Sequence, residues 1–285
     1  MEFRQCSVGG VLYHGQRDIR PEAPKSPFAN SRSVSSDDTA AFTQQLKPAV
    51  QGTFVPQAAD ATVTLPRIKL SEGVITHFVD PNITADIKNA DGNGDAQAQL
   101  LDEFFTCLGL CHSVLASVDV EGAVSYKAQS PDEAALVQAA ADTGYIFLGR
   151  ELGSQVLRIQ KPHVAEPKRY ELLNLLDFTS ARKRMSVILR TLDDEDGHER
   201  ILLLCKGADN VIFERLAPRI GDTFKEKTSE DLETFAGEGL RTLCLAQRYL
   251  SGEVLMLCAF LRISRVSQRR NIQAGMQSTE TRKFN

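Results

Sequence analysis

The fold is decided by residues 169–209, which read RYELLNLLDFTSARKRMSVILRTLDDEDGHERILLLCKGAD. This stretch holds three apolar runs, Arg169–Phe178, Lys183–Thr191 and Arg200–Lys206. Leu, Val and Ile dominate the runs and their interiors lack Gly and Pro, as is typical of β-strands. The links between them, Thr179–Arg182 and Asp193–Glu199, are short. We therefore predict that consecutive strands are antiparallel neighbours.

The first and third of these strands point the same way, so they end at one edge of the predicted sheet. Phe178 and Lys206 would lie at that edge, with Ser180 and Lys183 in the turn beside them. Neighbouring strands are about 4.8 Å apart, which separates the first from the third by roughly 10 Å, about the length of a purine with its ribose. An aromatic face, two ammonium groups and a hydroxyl would then surround a volume suited to a flat anionic ligand. The sequence predicts a nucleotide site there.

Composition narrows the class of protein. The chain has 285 residues, of which 42% are hydrophobic and 25% charged, enough to bury a core of one or two domains. Its 33 basic and 37 acidic residues give a net charge of −4, which argues against a nucleic-acid partner. The six cysteines form no Cys-x-x-Cys pair, which favours reduced, buried thiols. The longest apolar run near the end, Val254–Leu261, is far shorter than the ~20 residues that span a bilayer, so we expect a soluble polypeptide.

Four segments are predicted along the chain. Residues 1–14 are expected to form a hairpin around Gly9-Gly10, a two-residue turn signal. Residues 15–76 are rich in Pro, Ser, Ala, Gln and Thr without a sustained period, and we predict a flexible insertion. Residues 77–251 would form the main domain. Residues 252–285 would form an atypical tail outside its fold.

Two longer helices are predicted in the main domain. Apolar residues repeat at helical spacing over Gln97–Ser117. A second helix begins at Ser130, with Pro131 at its first position and Glu133 closing a capping box, and ends near Gly144. The other predicted elements are strands at Val124–Ala128, Tyr145–Leu148, Val156–Ile159 and Leu240–Tyr249 and short helices at Asp209–Leu216 and Ser229–Gly237.

The candidate ligand residues each have a structural alternative. No Gly-x-x-x-x-Gly-Lys-Ser/Thr loop occurs and no Gly-x-Gly-x-x-Gly follows a strand, so the base must supply much of the binding energy. Phe178 suits stacking on a base, although a single phenylalanine is more often a core residue. Lys206 precedes Gly207, which would let a ligand approach the backbone, although its stem could simply extend to water.

Two further candidate ligand residues, Arg241 and Glu133, also have a structural alternative. Arg241 follows a helix and would bind a phosphate or ribose oxygen, or else pair with a neighbouring carboxylate. Glu133 has capping as its default role, while its free oxygen could accept from an adenine amino group. The adjacent cations Arg182, Lys183 and Arg184 suit a polyphosphate or a solvated turn.

No metal site is expected. Residues 91–95 resemble the start of a calcium-binding loop, but Ala96 replaces the glycine that such a loop requires. Cys107, Cys111 and His112 share a helix face without a second cluster of ligands, so a core role is predicted for them.

Four blocks of sequence, in this order, resemble a known family: SPDEAALV at 130–137, FTSARKRM at 178–185, CKGAD at 205–209 and EGLRTL at 238–243. Together they closely resemble the nucleotide-binding domain of phospholipid-transporting P-type ATPases, the type IV or flippase subfamily. The resemblance covers about residues 1–15 and 78–251.

The resemblance implies an α+β fold, a twisted antiparallel sheet flanked by helices, that binds ATP. Carried over by matching motif, the ATP contacts would be Glu133, Phe178, Ser180, Lys183, Lys206 and Arg241. Phe178 would stack on adenine, Lys206 would line the base pocket and Arg241 would steer the ribose and phosphates. Magnesium would accompany ATP, held mainly by a neighbouring phosphorylation domain.

The resemblance also implies a larger parent. In that family the γ-phosphate passes to an aspartate, coupled to phospholipid movement between leaflets of a Golgi, endosomal or plasma membrane. The implied partners are phosphorylation and actuator domains, membrane helices and an accessory β-subunit. The acceptor motif Asp-Lys-Thr-Gly-Thr does not occur in the 285 residues, and Met1–Cys6 resembles the segment that follows it. We therefore expect nucleotide binding without turnover, no catalytic residue, and a truncated or mis-spliced reading frame.

A second hypothesis is a non-catalytic interaction module that keeps the fold but does not bind nucleotide. Its basic tail, with Arg262, Arg265, Arg269 and Arg270, would contact an anionic membrane or an acidic partner.

Overall fold

A computed structural model describes residues 1–15, 53–58, 63–88, 96–193, 199–217 and 222–250. The predicted tail at 252–285, with its arginines, and the calcium-loop-like residues 91–95 lie outside the described residues, as does most of the predicted insertion.

The described residues form ten strands and five helices. The strands are β1 Gln5–Val8, β2 Val11–His14, β3 Leu115–Val118, β4 Val124–Lys127, β5 Ile146–Arg150, β6 Val156–Gln160, β7 Lys168–Leu176, β8 Arg184–Thr191, β9 Ile201–Gly207 and β10 Cys244–Leu250. The helices are α1 Pro81–Lys88, α2 Ala96–Leu110, α3 Pro131–Asp142, α4 Asp209–Phe213 and α5 Asp222–Gly237.

The centre of the fold is a six-stranded sheet in the order β10-β9-β8-β7-β6-β5. Every neighbouring pair in it is antiparallel, including the β7-β8-β9 trio that the sequence predicts. Two short ribbons, β1-β2 and β3-β4, lie outside this sheet. The predicted α+β class with an antiparallel sheet and flanking helices is confirmed.

One face of the sheet carries the core. Val187 pairs with Leu204, and Leu189 pairs with Leu202, and all four side chains are buried. Cross-strand partners share a face, so these residues form one apolar surface. They belong to the same buried cluster as apolar side chains of α2 and α3, which therefore cover this face.

The N-terminal hairpin forms as predicted. Gly9 and Gly10 have φ angles of 61° and 83°, the positive values that a two-residue turn between antiparallel strands requires. Cys6 and Tyr13 on its strands are buried, and the Tyr13 hydroxyl donates to Asp86 at 2.6 Å. These contacts join residues 1–14 to the main domain.

The predicted insertion at 15–76 is wrong at its C-terminal end. Val63, Leu65 and Ile68 are buried in the main core. Ile68 pairs with Phe54 and also with Val124 of β4. These are isolated bridges rather than a regular strand. The apolar residues around Ile68 therefore do not repeat with the regular spacing that predicts a strand from sequence. Residues 63–76 belong to the folded domain.

The first long helix is shorter than predicted. Helix α2 ends at Leu110, and Leu115–Val118, which the prediction assigned partly to the helix, forms β3. The His112 imidazole lies within this junction: its Nε2 donates to the Gly109 carbonyl at 2.8 Å and its Nδ1 accepts from the Val114 N–H at 3.1 Å. The ring thus replaces helical hydrogen bonds and turns the chain. Within the described residues, no helix is both long enough and apolar enough to cross a membrane.

Candidate functional site

The strand register brings the predicted site residues to one edge of the sheet. Leu176 at the end of β7 pairs with Ser186 of β8, which pairs with Cys205 of β9. Phe178 follows two residues after this row and Lys206 follows one residue after it. The Phe178 side chain is 60% exposed, which is unusual for a phenylalanine in a folded domain. Phe178 therefore follows the end of β7 and Lys206 lies near the end of β9, at the same edge of the sheet.

Lys206 is buried although it carries a charge. It pairs across the sheet with Met185, on the face that α2 and α3 cover, and is only 7% exposed. Its Nζ lies 3.6 Å from Glu133 Oε1 and makes no hydrogen bond to any residue that the structure describes. A buried ammonium group without hydrogen-bond partners is costly, which makes Lys206 a candidate for a functional role.

Glu133 faces Lys206 and does not form the predicted capping box. Ser130 is the N-cap of α3 but makes no side-chain capping bond. The Glu133 carboxylate instead accepts from Ser113, from the N–H to Oε1 at 3.1 Å and from Oγ to Oε2 at 2.7 Å. Burial alone would raise the pKa of Glu133, but Lys206 and the two Ser113 donors outweigh burial and lower that pKa. The group is a fixed, ionised acceptor.

Ser180 and Lys183 occupy the turn between β7 and β8, as predicted, and both side chains are exposed. Among the described non-glycine residues, Lys183 alone has a positive φ angle, 49°. Its N–H donates to the Thr179 carbonyl at 2.8 Å, and its carbonyl accepts from the Ala208 N–H at 3.0 Å. These two backbone bonds hold Lys183 in a conformation that few non-glycine residues adopt.

Gly207 has a structural role that the sequence did not predict. A Cβ atom there would lie 2.6 Å from both the Lys183 carbonyl oxygen and the Arg184 Cβ. Real Cβ atoms do not approach backbone so closely. The glycine therefore lets β8 begin against the end of β9, and its predicted role in ligand approach stays a prediction.

Arg241 forms an ion pair with Asp132, the residue before Glu133. It follows α5 and pairs with Asp132, while its side chain remains 74% exposed. This ion pair is the structural alternative that the sequence left open for Arg241. Asp132 precedes Glu133 in the first turn of α3, so the ion pair joins Arg241 to the helix that carries Glu133.

Sequence reasoning missed Ser113 and predicted only a core role for His112. Ser113 holds the Glu133 carboxylate from another element, twenty residues away in sequence. His112 is buried, and burial together with the nearby Lys206 lowers its pKa to about 4. No motif signals the role of Ser113, because its bonds to Glu133 depend on how the turn after α2 lies beside α3.

The described residues contain no group of three or more His, Cys, Asp or Glu side chains that could hold a metal ion. The cysteines within them are all free, and Cys107 and Cys111 are buried in the core. The Cys111 Sγ lies 3.8 Å from the Leu204 carbonyl oxygen and 3.9 Å from that of Met185. These contacts agree with the core role predicted for the helix-face cysteines.

The antiparallel sheet with its flanking helices is consistent with a cytoplasmic domain of the P-type ATPase class. The family model described as P-type ATPase, cytoplasmic domain N, matches residues 100–279. The chain belongs to this family.

The curated proteins that the chain is similar to include three named as phospholipid-transporting ATPases. The chain is 38% identical to the phospholipid-transporting ATPase dnf2 of Schizosaccharomyces pombe over 89% of its own length and 17% of the relative. It is 36% identical to the phospholipid-transporting ATPase DNF1 of Saccharomyces cerevisiae over 88% of the chain and 16% of the relative. It is 38% identical to the probable phospholipid-transporting ATPase 11 of Arabidopsis thaliana over 87% of the chain and 18% of the relative. The predicted resemblance is confirmed, and the chain spans less than a fifth of the length of these relatives.

Proposed function

We propose that the chain binds ATP at the edge formed by β7, β8 and β9, as the nucleotide-binding domain of a phospholipid-transporting ATPase. The observation that carries this proposal is Lys206, whose ammonium group is buried at that edge without a hydrogen-bond partner among the described residues. A nucleotide would supply the missing acceptor. The exposed ring of Phe178 at the same edge would supply the stacking surface for its base.

The donors and acceptors available fit an adenine nucleotide. Glu133 is an ionised acceptor and suits the adenine amino group, while Lys206 beside it lines the base pocket. Lys183 and Arg241 are exposed cations suited to the phosphates and ribose. Ser180 adds an exposed hydroxyl in the same turn.

Magnesium would arrive with the nucleotide. Hard oxygen ligands are what the ion prefers, and ATP phosphates provide them. We infer that the remaining protein ligands come mainly from a phosphorylation domain beyond this chain, since the described residues hold no cluster suited to a metal. ATP with magnesium is therefore the proposed cofactor.

The activity of the whole protein is also a proposal. The relatives are named as phospholipid-transporting ATPases, and the chain spans less than a fifth of each. We infer that the chain serves an enzyme that passes the γ-phosphate to an aspartate and couples this transfer to phospholipid movement between leaflets. Its partners would be phosphorylation and actuator domains, membrane helices and an accessory β-subunit, in a Golgi, endosomal or plasma membrane.

The test is a titration of the chain with ATP, followed by NMR chemical shifts. Binding at the proposed edge would perturb resonances of Phe178 and Lys206, while those of residues on the β1-β2 hairpin would not move. Shifts that leave both edge residues unchanged would contradict the proposal. That result would instead favour a domain that keeps the fold as an interaction module.

A further inference from the structure

We propose that Ser113 positions the Glu133 carboxylate and thereby sets the preference of the site for adenine over other purines. This inference rests on the proposed function. It adds a residue that lies outside all four sequence motifs and assigns it to base selectivity.

The contact between the two residues fixes the orientation of the carboxylate. The Ser113 N–H donates to Oε1 at 3.1 Å, and the Ser113 Oγ donates to Oε2 at 2.7 Å. Two donors from one residue, each on a different oxygen, define the plane of the carboxylate as well as its position. Each oxygen keeps lone pairs for further donors. A ligand amino group would therefore meet an acceptor whose direction is already set.

The backbone of Ser113 is itself held on both sides. His112 donates from Nε2 to the Gly109 carbonyl and accepts at Nδ1 from the Val114 N–H. One ring nitrogen donates and the other accepts, so the imidazole is neutral. The ring is buried and packs edge-on against Phe147 with 4.6 Å between centroids. This closed turn fixes Ser113 between α2 and β3 without help from the ligand.

The charge of Glu133 determines which base it accepts. The Lys206 ammonium lies 3.6 Å away, and both Ser113 donors favour the ionised form. An ionised carboxylate can accept but cannot donate. It attracts the amino group at position 6 of adenine and repels the carbonyl oxygen at position 6 of guanine or hypoxanthine. Ser113 acts on the base only through Glu133.

The experiment compares two nucleotides in the chain carrying Ser113→Ala. Purine riboside triphosphate keeps the ring and phosphates of ATP but lacks the amino group. We expect the variant to bind ATP roughly three- to tenfold more weakly, the effect of losing one hydrogen bond to the acceptor system. Its affinity for purine riboside triphosphate should change by less than about twofold, because that ligand offers Glu133 no amino donor. The ratio of the two dissociation constants, measured by calorimetry, is the readout.

Three variants make the result specific. Ser113→Thr retains the hydroxyl and should restore the wild-type ratio. Ser117→Ala is the matched control, because Ser117 is exposed on β3 and its hydroxyl bonds Ser125 at 2.9 Å. In a Glu133→Gln background, Ser113→Ala should produce no further change in the ratio, since the oriented carboxylate is already absent.

The outcomes separate this inference from the proposed function. Equal weakening of both nucleotides by Ser113→Ala, or an unchanged ratio, would overturn the positioning role while leaving ATP binding intact. A wild-type chain that binds neither nucleotide would overturn the proposed function and this inference with it. Thermal unfolding of each variant checks that the ratio is compared between folded chains.

Discussion

The Lys206 Nζ and the Glu133 Oε1 face each other at 3.6 Å on the helix-covered side of the sheet. Ser113 already occupies both carboxylate oxygens, so Glu133 is not free to turn toward the ammonium group. The Lys206 ammonium group is consequently buried and donates no hydrogen bond to any of the described residues. A domain selected for stability alone would place an apolar side chain here, and such local conflicts are expected at functional sites.

The first prediction concerns Lys206→Met, which keeps the length of the side chain and removes its charge. We expect ATP affinity to fall by roughly ten- to 150-fold, because hydrogen bonds to charged groups contribute about 1.5–3 kcal/mol. We expect the free energy of unfolding to change by less than about 1 kcal/mol, because the unbonded ammonium group is no longer buried, while Glu133 loses the nearby positive charge but keeps both Ser113 donors. Calorimetric binding and urea unfolding measure the two quantities.

Lys161 provides the matched control for this variant. It is also buried, but its Nζ donates to Asp102 at 2.7 Å. Lys161→Met should lower stability by about 1–3 kcal/mol, since the Asp102 acceptor loses its partner, and should leave ATP affinity unchanged. If Lys206→Met destabilised the fold as much as Lys161→Met does, Lys206 would be a structural residue.

The second prediction concerns Phe178→Ala. Stacking of a base on an aromatic side chain contributes roughly 1–3 kcal/mol, so ATP should bind about five- to 150-fold more weakly. Stability should change little, because the ring is 60% exposed. Phe224→Ala is the control, because Phe224 is also an exposed phenylalanine, 54% exposed on α5. At 1.5 Å per residue it lies roughly 20 Å along the helix from Gly237, the end of α5 that leads to Arg241. An unchanged dissociation constant for Phe178→Ala would exclude the stacking role.

The strands of the site could be predicted because the composition of each run and the short links between the runs point to the same antiparallel arrangement. Short links make Arg169–Phe178, Lys183–Thr191 and Arg200–Lys206 antiparallel neighbours, and Leu, Val and Ile dominate all three runs, as is typical of strands. From this register alone, the shared edge of Phe178 and Lys206 follows. The strand boundaries differ from the prediction by only one or two residues.

The rest of the site depends on contacts that no local pattern encodes. The capping-box rule assigns Glu133 to the backbone of its own helix, but Ser113 offers two donors from another element and displaces that local bond. Gly207 is required because the start of β8 lies against it. The sequence shows that a glycine is present, but it does not show whether a strand or a ligand approaches it. Residues 63–76 enter the core through isolated bridges and so show no period.

The third prediction concerns the ion pair of Arg241 with Asp132. If Arg241 binds phosphate, it must leave Asp132, and exposed ion pairs stabilise by about 0–1 kcal/mol. Asp132→Asn should therefore raise ATP affinity by up to roughly fivefold. Asp119→Asn removes a carboxylate from another exposed pair, with Lys69 at 2.6 Å, and should have no effect on binding. Weaker ATP binding by Asp132→Asn would mean that the pair organises the site instead of competing with the ligand.

The last prediction concerns the pH dependence of stability. Burial, with Lys206 and Arg150 nearby, lowers the pKa of His112 to about 4 from its ordinary value near 6.5, although the Gly109 carbonyl and Glu133 act in the opposite direction. The unfolded chain therefore binds a proton at His112 at higher pH than the folded chain does. Stability from this residue is fully present above about pH 6.5 and is lost as the pH falls toward 4. Between pH 7 and pH 4.5 the loss should be about 2 kcal/mol.

Urea unfolding at these two pH values measures that loss, and a variant isolates the part due to His112. His112→Gln keeps a donor and an acceptor but does not titrate, so the difference in unfolding free energy between pH 7 and pH 4.5 should shrink by about 2 kcal/mol. Carboxylates contribute equally to both chains, because only the difference between their pH dependences is compared. His14→Gln, at an exposed position on β2, serves as the control for replacing a histidine by glutamine outside this turn. An identical acid response in the wild type and His112→Gln would show that folding does not lower the pKa of His112, which would contradict an imidazole that stays neutral in the turn down to pH 4.5.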